Sequence, residues 1–363
     1  MINLLFVVDN LGCGGAQSIT CTLVNYLSQS QAINVTVCTL DNKNQQQALD
    51  SKVELIDLKL SHEFSYGKLW KHKVLTESET KLINQSINSR NFDLIVLGFH
   101  NGYYLYDYLR QTEKIWFWMH GAVLEKRISA NLAGQINNYF RYLRHKKYFK
   151  KLLDQKKIIA VSENLQEMYK KILIHSEFRV IPNGINLPKQ NMHSSKEWDV
   201  LFIGRLVKLK QVDHAIKAFY SARLTGKMAI LGDGPEIFSL KKLVRELNLE
   251  QKIEFLGWSN DPEQFIKKSK CVVLCSSSEG SPVSLLEALS LNTPIVSYDS
   301  SSSIKLLFNN VIMQPYLVPK QDINELSLAL SSCVNKNYSI PKEVIELIDI
   351  KTMGNSFLKL IEL

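Results

Sequence analysis

The sequence predicts an α/β protein with two Rossmann-like, doubly wound domains facing a cleft. Three observations predict it. Short apolar runs alternate with helical stretches along most of the chain, the pattern of a largely parallel sheet with helices on both faces. The alternation lapses at residues 183–198, where Gly, Pro and Ser replace the apolar pattern, as in a linker. A chain of 363 residues is too long for one ordinary core and suits two domains of about 150 to 200 residues each.

Taken in order, the first series places strands at 2–8, 33–40, 53–58, 93–98, 114–119, 157–161 and 178–182, giving an N-terminal domain over residues 1–182. The opening run from Met1 stops at Asp9 and lacks the charged start of a secretory signal, so it reads as the first strand. The second series places strands at 199–203, 227–231, 251–256, 270–275 and 294–298, with helices at 211–222 and 235–247, in a domain over residues 199–340. A last helix within 341–363 has no strand after it and is expected to pack back across the first domain. Sheets of this kind bind ligands at the carboxyl ends of their strands.

Composition narrows the class. A hydrophobic content of 45% and a charged content of 22% are those of a soluble globular protein. The cysteines at 13, 21, 38, 271, 275 and 333 form no C-x-x-C pair and sit mostly in apolar runs, so buried reduced thiols and a cytoplasmic location are expected. No apolar run approaches the length of a membrane span. The net charge of +9 is concentrated between Lys126 and Lys157, where ten basic residues face the single acid Asp154. Tyr139, Phe140, Tyr142, Tyr148 and Phe149 are interleaved with them. Two readings stand side by side: a helix resting on an anionic membrane surface, or a solvated basic helix with its aromatics in the core. No nucleic-acid motif accompanies the patch, and nucleic acid is not expected as a partner.

The stretch 275–291 carries the most chemistry. An apolar run from Cys271 to Cys275 is followed by a Ser/Gly loop and then by Ser281-Pro282-Val283-Ser284. Ser281 is a suitable N-cap and Pro282 a suitable first helical residue, which leaves the amides of Val283, Ser284 and Leu285 open to an anion such as a diphosphate. Glu279 and Glu287 flank this point. Carboxylates do not bind phosphate, so two of them beside an anion site suit the hydroxyls of a sugar or a ribose. The plainer alternative is an ordinary strand, loop and capped helix with glutamates in water. In the same domain Gly204-Arg205 and Lys210 follow a strand, and a guanidinium and an ammonium there converge on a diphosphate unless they are a surface pair. After the first strand, Gly12, Gly14 and Gly15 permit close approach of backbone to a ligand, but Gln17 stands where a dinucleotide fingerprint needs its third glycine. A tight turn is as good a reading of that loop.

These residues, with His120-Gly121, Ile181-Pro182-Asn183-Gly184-Ile185, Leu231-Gly232-Asp233-Gly234-Pro235 and Phe255-Leu256-Gly257-Trp258, make the chain resemble the retaining glycosyltransferases of family 4, which have the GT-B architecture. The resemblance implies an N-terminal acceptor domain, a C-terminal domain for the nucleotide sugar and a last helix crossing back. It implies that Glu279 contacts the donor hexose, that Glu287 contacts the ribose, and that Arg205 and Lys210 neutralise the leaving diphosphate. Gly14 and Gly15 would close on the phosphates, Gly280, Ser281, Pro282, Val283 and Ser284 would line the donor, Leu256 and Trp258 would meet the base, and His120 would lie near sugar and acceptor. No cofactor and no metal are implied, and no Asp-x-Asp pair is placed to hold one. The expected reaction moves a hexose or N-acetylhexosamine from a UDP-sugar to a saccharide or lipid-linked acceptor in bacterial surface polysaccharide assembly, with anomeric configuration retained. The rival is a non-catalytic GT-B protein that binds a nucleotide sugar as partner of another transferase, and an NAD-dependent oxidoreductase is a distant third. The chain departs from the family at Asn186, where many relatives have Asp, and at Asp299-Ser-Ser-Ser-Ser-Ile-Lys305, where relatives often have a Gly and an acid. The second departure leaves the contacts of that loop open.

Overall fold

A computed structural model of the chain describes residues 1–12, 14–43, 45–67, 73–98, 100–121, 124, 132–188, 195–259, 261–336 and 338–362. Cys13, Lys126, Arg127 and residues 189–194 of the expected linker lie outside them. The chain divides into two compact units, Met1–Asn183 with Met353–Leu363, and Gly184–Thr352.

In the first unit the order is β1 (Ile2–Val8), α1 (Gly15–Leu27), β2 (Ile33–Thr39), β3 (Glu54–Asp57), α2 (His62–Tyr66), α3 (Glu77–Ile83), β4 (Leu94–Gly98), β5 (Ile115–Met119), α4 (Leu132–Leu153), β6 (Lys157–Ala160), α5 (Glu163–Lys170) and β7 (Glu177–Val180). The strands form one sheet in the order β3-β2-β1-β4-β5-β6-β7, and each neighbouring pair is parallel. The central strands β1, β4 and β5 are apolar on both faces because helices cover both. The strand order reverses between β1 and β4, so the loops leaving these two strands diverge and open a crevice at their carboxyl ends.

The second unit contains β8 (Trp198–Ile203), α6 (Val212–Ser221), β9 (Met228–Leu231), α7 (Ile237–Glu246), β10 (Ile253–Gly257), α8 (Glu263–Lys267), β11 (Ser269–Leu274), α9 (Val283–Ser290), β12 (Ile295–Tyr298), α10 (Ser302–Leu307), β13 (Leu317–Val318), α11 (Ile323–Lys336) and α12 (Lys342–Leu347). Its sheet has the order β10-β9-β8-β11-β12-β13, again with parallel neighbours, and its switch lies between β8 and β11. The two-residue strand β13 and the helix α11 were not expected from the sequence.

The single last helix is corrected. It is α12, then α13 (Ile350–Leu358), then a 3-10 turn at Lys359–Glu362. The interruption has a backbone cause: Ile185 donates to the Ile348 carbonyl at 2.8 Å and accepts from the Ile350 amide at 3.0 Å, bonds that a continuous helix would need for itself. The end of α13 belongs to the first unit. Phe357 meets Phe6 and Trp118 with ring centroids 6.0 and 4.9 Å apart. Gly354 lies so close to α1 that a Cβ there would stand 2.7 Å from the Tyr26 ring.

The basic segment separates its aromatics. Phe149 is 1% exposed and stacks on Tyr169 at 4.8 Å, whereas Ile136, Tyr139, Phe140, Leu143 and Tyr148 of α4 are exposed. The helix thus has Phe149 in the core and Tyr139, Phe140 and Tyr148 at the surface. No helix among the described residues is long and apolar enough to cross a membrane.

Candidate functional site

The site of the second unit is built where β8 and β11 end side by side. After β8 the chain runs through Gly204 and Arg205 into a 3-10 turn at Lys208–Lys210, and Gln211 in the left-handed region (φ 46°) redirects it into α6. This turn is pinned to the loop after β11: the Leu209 carbonyl accepts from the Ser277 amide at 2.9 Å. It also accepts from the Ser277 hydroxyl at 3.3 Å. Next to that pin, Lys210 Nζ lies 2.5 Å from Glu279 Oε1, with the two side chains 17% and 11% exposed. A pair so shielded is felt more strongly than one in bulk water, so each residue fixes the other.

The loop is backed by Leu231-Gly232-Asp233-Gly234. Gly204 donates to the Leu231 carbonyl and Leu206 to the Asp233 carbonyl, at 3.0 and 2.8 Å. Gly232 sits at φ +148°, and a Cβ on it would lie 1.9 Å from the Gly204 carbonyl oxygen. Only glycine permits that approach. The glycines of this motif hold the Arg205 loop in place.

Helix α9 begins one residue later than the sequence suggests. Pro282, at φ −77° and ψ 105°, is the N-cap and no side chain caps the helix; Ser281 is therefore not the cap, and Pro282 is not the first helical residue. The reason is the extended ψ at Pro282, which postpones helical geometry to Val283. Leu285 is not open either, since its amide reaches the Pro282 carbonyl at 3.2 Å. Among the described residues, no hydrogen bond reaches the amides of Ser281, Val283 or Ser284, and they stand at the positive end of the helix. Arg205 is exposed and makes no ion pair among the described residues. Glu287, one turn into α9, is partly buried. Burial, and then the neighbouring Glu263 carboxylate, push it up to about 7.

At the switch of the first sheet the groups differ. Asp9 accepts at Oδ1 from the Gly102 amide at 2.9 Å. Its Oδ2 accepts from the Asn101 side chain at 3.0 Å. Burial pushes its carboxyl up to about 6 against these bonds. Lys73 donates to Asn101 Oδ1 at 2.6 Å and to the Phe64 and Gly67 carbonyls at 2.5 and 3.3 Å. Gly14 is the N-cap of α1, and a Cβ on it would lie 2.3 Å from Gln17 Oε1, so Gln17 occupies the space that a third glycine would leave clear. His120 follows β5 and lies against Trp118 at 4.2 Å between centroids. Burial, with His100 nearby, lowers it to about 3: its imidazole is neutral at ordinary pH.

Two family models together span nearly the whole chain. The one described as Glycosyltransferase Family 4 matches residues 13–189, and Glycosyl transferases group 1 matches residues 185–346. The chain belongs to glycosyltransferase family 4. An uncharacterized glycosyltransferase of Methanocaldococcus jannaschii is 34% identical over 177 residues, 42% of this chain and 41% of that protein. The lipopolysaccharide 1,6-galactosyltransferase of Escherichia coli is 29% identical over 170 residues, 44% of this chain and 47% of that one. The chain spans less than half the length of these curated relatives. Staphylococcus aureus TarM, in a crystal structure with Fondaparinux, alpha-GlcNAc-glycerol and UDP, superposes with a TM-score of 0.71 at 12% identity over 100% of both chains. That likeness is one of fold, GT-B, with two Rossmann-like sheets.

In this family 4 chain the structure brings Lys210 against Glu279, in the loop that leads through Gly280 to the start of α9, and leaves Arg205 exposed in the loop that carries Lys210. Leu256 and Trp258 are carried by another strand of the same sheet. They lie at and after the end of β10, two strands from the switch, with Leu256 partly buried and Trp258 51% exposed. Gly14, Gly15 and His120 belong to the first unit. Among the described residues no three His, Cys, Asp or Glu side chains gather into a group able to hold a metal ion. Sequence reasoning missed Ser303, whose hydroxyl donates to the Gly280 carbonyl at 2.6 Å, and the Asp9–Asn101–Lys73 network. The only signal for Ser303 was the serine run before an apolar helix, which reads as a cap.

Proposed function

We propose that the chain is a retaining hexosyltransferase that takes its sugar from a UDP-sugar, with its second unit as the donor site. The observation that carries this is the Lys210–Glu279 pair beside the open amides of α9. There the positive end of the helix, Lys210 and exposed Arg205 suit a diphosphate, while Glu279 and Glu287 suit hydroxyls. As the bond from the anomeric carbon to the diphosphate oxygen breaks, negative charge grows on the phosphate side, where oriented cations and amides stabilise it. The acceptor hydroxyl adds to the face that the diphosphate leaves, and its proton passes to a departing diphosphate oxygen. This reading assigns neutralisation of the leaving group to the chain's own cations, so activity is expected to survive a chelator.

The acceptor is proposed to be a saccharide or lipid-linked saccharide of a bacterial surface polysaccharide, in keeping with the lipopolysaccharide 1,6-galactosyltransferase among the relatives. UDP is in keeping with the TarM complex. The exposed apolar residues of α4, with Arg144, Lys147, Lys150 and Lys151 exposed on the same helix, suit an anionic membrane surface that would present such an acceptor. Cosedimentation with vesicles containing anionic lipid is expected to fall at least fivefold in Phe140→Glu, and equal binding to neutral and anionic vesicles would reject this part of the reading.

The transfer reading is tested by thermal shift across a panel of nucleotide sugars, since a preferred ligand raises the melting point by mass action. A UDP-release assay with membrane extract as acceptor follows. A UDP-sugar that stabilises the chain and is turned over supports the reading. Binding without release marks a nucleotide-sugar-binding partner of another transferase, and binding of NADH alone overturns the reading altogether.

A further inference from the structure

The serine run 300–303 touches the candidate site through Ser303. Helix α10 starts with Ser301 as N-cap: the Ile304 amide donates to Ser301 Oγ at 3.4 Å. Ser301 Oγ and Ser303 Oγ lie 2.9 Å apart. Ser303 Oγ donates to the Gly280 carbonyl at 2.6 Å. A hydroxyl has one proton, and a carbonyl only accepts. Ser303 therefore spends its proton on Gly280, and the proton between the two serines comes from Ser301. The result is a relay with one direction: Ile304 N–H to Ser301, Ser301 O–H to Ser303, Ser303 O–H to Gly280. Bonds aligned in this way polarise one another.

Gly280 is the residue that most needs such a peg. It lies between Glu279, held by Lys210, and Ser281, whose amide is among the open donors. A glycine has the widest backbone freedom of any residue, so the peptide between 280 and 281 would otherwise be free to turn. In a planar trans peptide the carbonyl and the following N–H point in opposite directions. Fixing the Gly280 carbonyl on Ser303 thus directs the Ser281 N–H away from α10.

We propose that Ser303 is a positioning residue for the transfer: by holding the Gly280 carbonyl it sets the peptide that joins Glu279 to the open amides of Ser281, Val283 and Ser284. The proposal rests on the donor-site reading above and extends it to a residue that contacts no substrate. In Ser303→Ala the loop must be ordered by the donor itself. The KM for the UDP-sugar is expected to rise about tenfold, with kcat and the acceptor KM within threefold of wild type and the melting temperature within about 2 °C. Ser303→Thr keeps the hydroxyl and is expected to return the donor KM to within threefold. Hydrogen exchange of the residue 279–281 amides gives a second readout, faster in Ser303→Ala and restored in Ser303→Thr. A wild-type donor KM in Ser303→Ala, or a threonine variant as impaired as the alanine one, overturns the proposal. If the wild-type chain turns over no nucleotide sugar, the transferase reading fails instead, and the exchange measurement alone decides whether Ser303 pins Gly280.

Discussion

At the switch point of the first sheet, Lys73 is 6% exposed and its ammonium is enclosed by the carbonyls of Phe64 and Gly67 and by Asn101. Asn101 in turn donates to Asp9. At the same point of the second sheet, Arg205 is exposed, Lys210 and Glu279 hold one another near the surface, and the amides opening α9 have no acceptor among the described residues. The topology is the same and the charge is handled in opposite ways. The first set is closed, with its hydrogen bonds used internally to tie the loops after β1, α2 and β4 together. The second is open, with donors left over for an anion. A shared fold therefore says little about chemistry, which depends on what each loop leaves unsatisfied.

The largest expected effect lies in the open set. Lys210→Met and Glu279→Gln are each expected to lower transfer about a thousandfold, the scale on which an aligned charge stabilises a transition state. The double variant should lose little more, because the two residues act as a unit. Steady-state rates in variants with unchanged circular dichroism check this. If the two losses multiply, the pair is not a unit, and if either variant keeps wild-type turnover, the second switch point is not the reacting site.

The closed set should respond in the other quantity. Lys73→Met removes a buried cation and strands the carbonyls and amide oxygen around it, at a cost of about 2 to 3 kcal/mol, or about 4 to 10 °C of melting temperature. The affinity of the chain for UDP should not change. Differential scanning calorimetry with titration of UDP tests both halves. A Lys73→Met chain with wild-type stability and weakened UDP binding would exchange the roles assigned to the two edges.

Much of this was legible in the sequence wherever a local rule was enough. Strands β1, β4 and β11 announce themselves as apolar runs because they are buried on both faces, and the loops that carry Lys210 and Glu279 were expected where they are, after β8 and β11, though not the pairing of the two residues. Contacts made across the chain were not legible. Lys73 and Asn101 are 28 residues apart and Ser303 and Gly280 are 23 apart, and no local pattern marks either pair. The start of α9 was misplaced by one residue because a serine before a proline is the stronger local signal, and only the extended ψ at Pro282 shows that the helix waits for Val283. The last helix was read as continuous because its break is imposed by Ile185, far off in sequence.

Glu287 gives the smallest effect and the sharpest division between stability and binding. In the native chain its carboxyl is pushed up to about 7 by burial and by Glu263, whereas in an unfolded chain it titrates near 4.3. Between those values the native state holds the extra proton, so this group's contribution to stability falls as pH rises through the window and is fully unfavourable above about 7. Glu287→Gln cannot ionise. Allowing for its partial exposure, it should stabilise the second unit by about 1 to 2 kcal/mol at pH 8, a rise of about 3 to 6 °C, and should make no difference near pH 4. If the carboxylate is the group that accepts from ribose hydroxyls, the same variant binds UDP about tenfold more weakly at pH 8. Wild-type affinity then climbs between pH 6 and 8 while that of the variant stays flat. A melting curve that does not move at pH 8 would mean that Glu287 is not held ionised at a cost to stability.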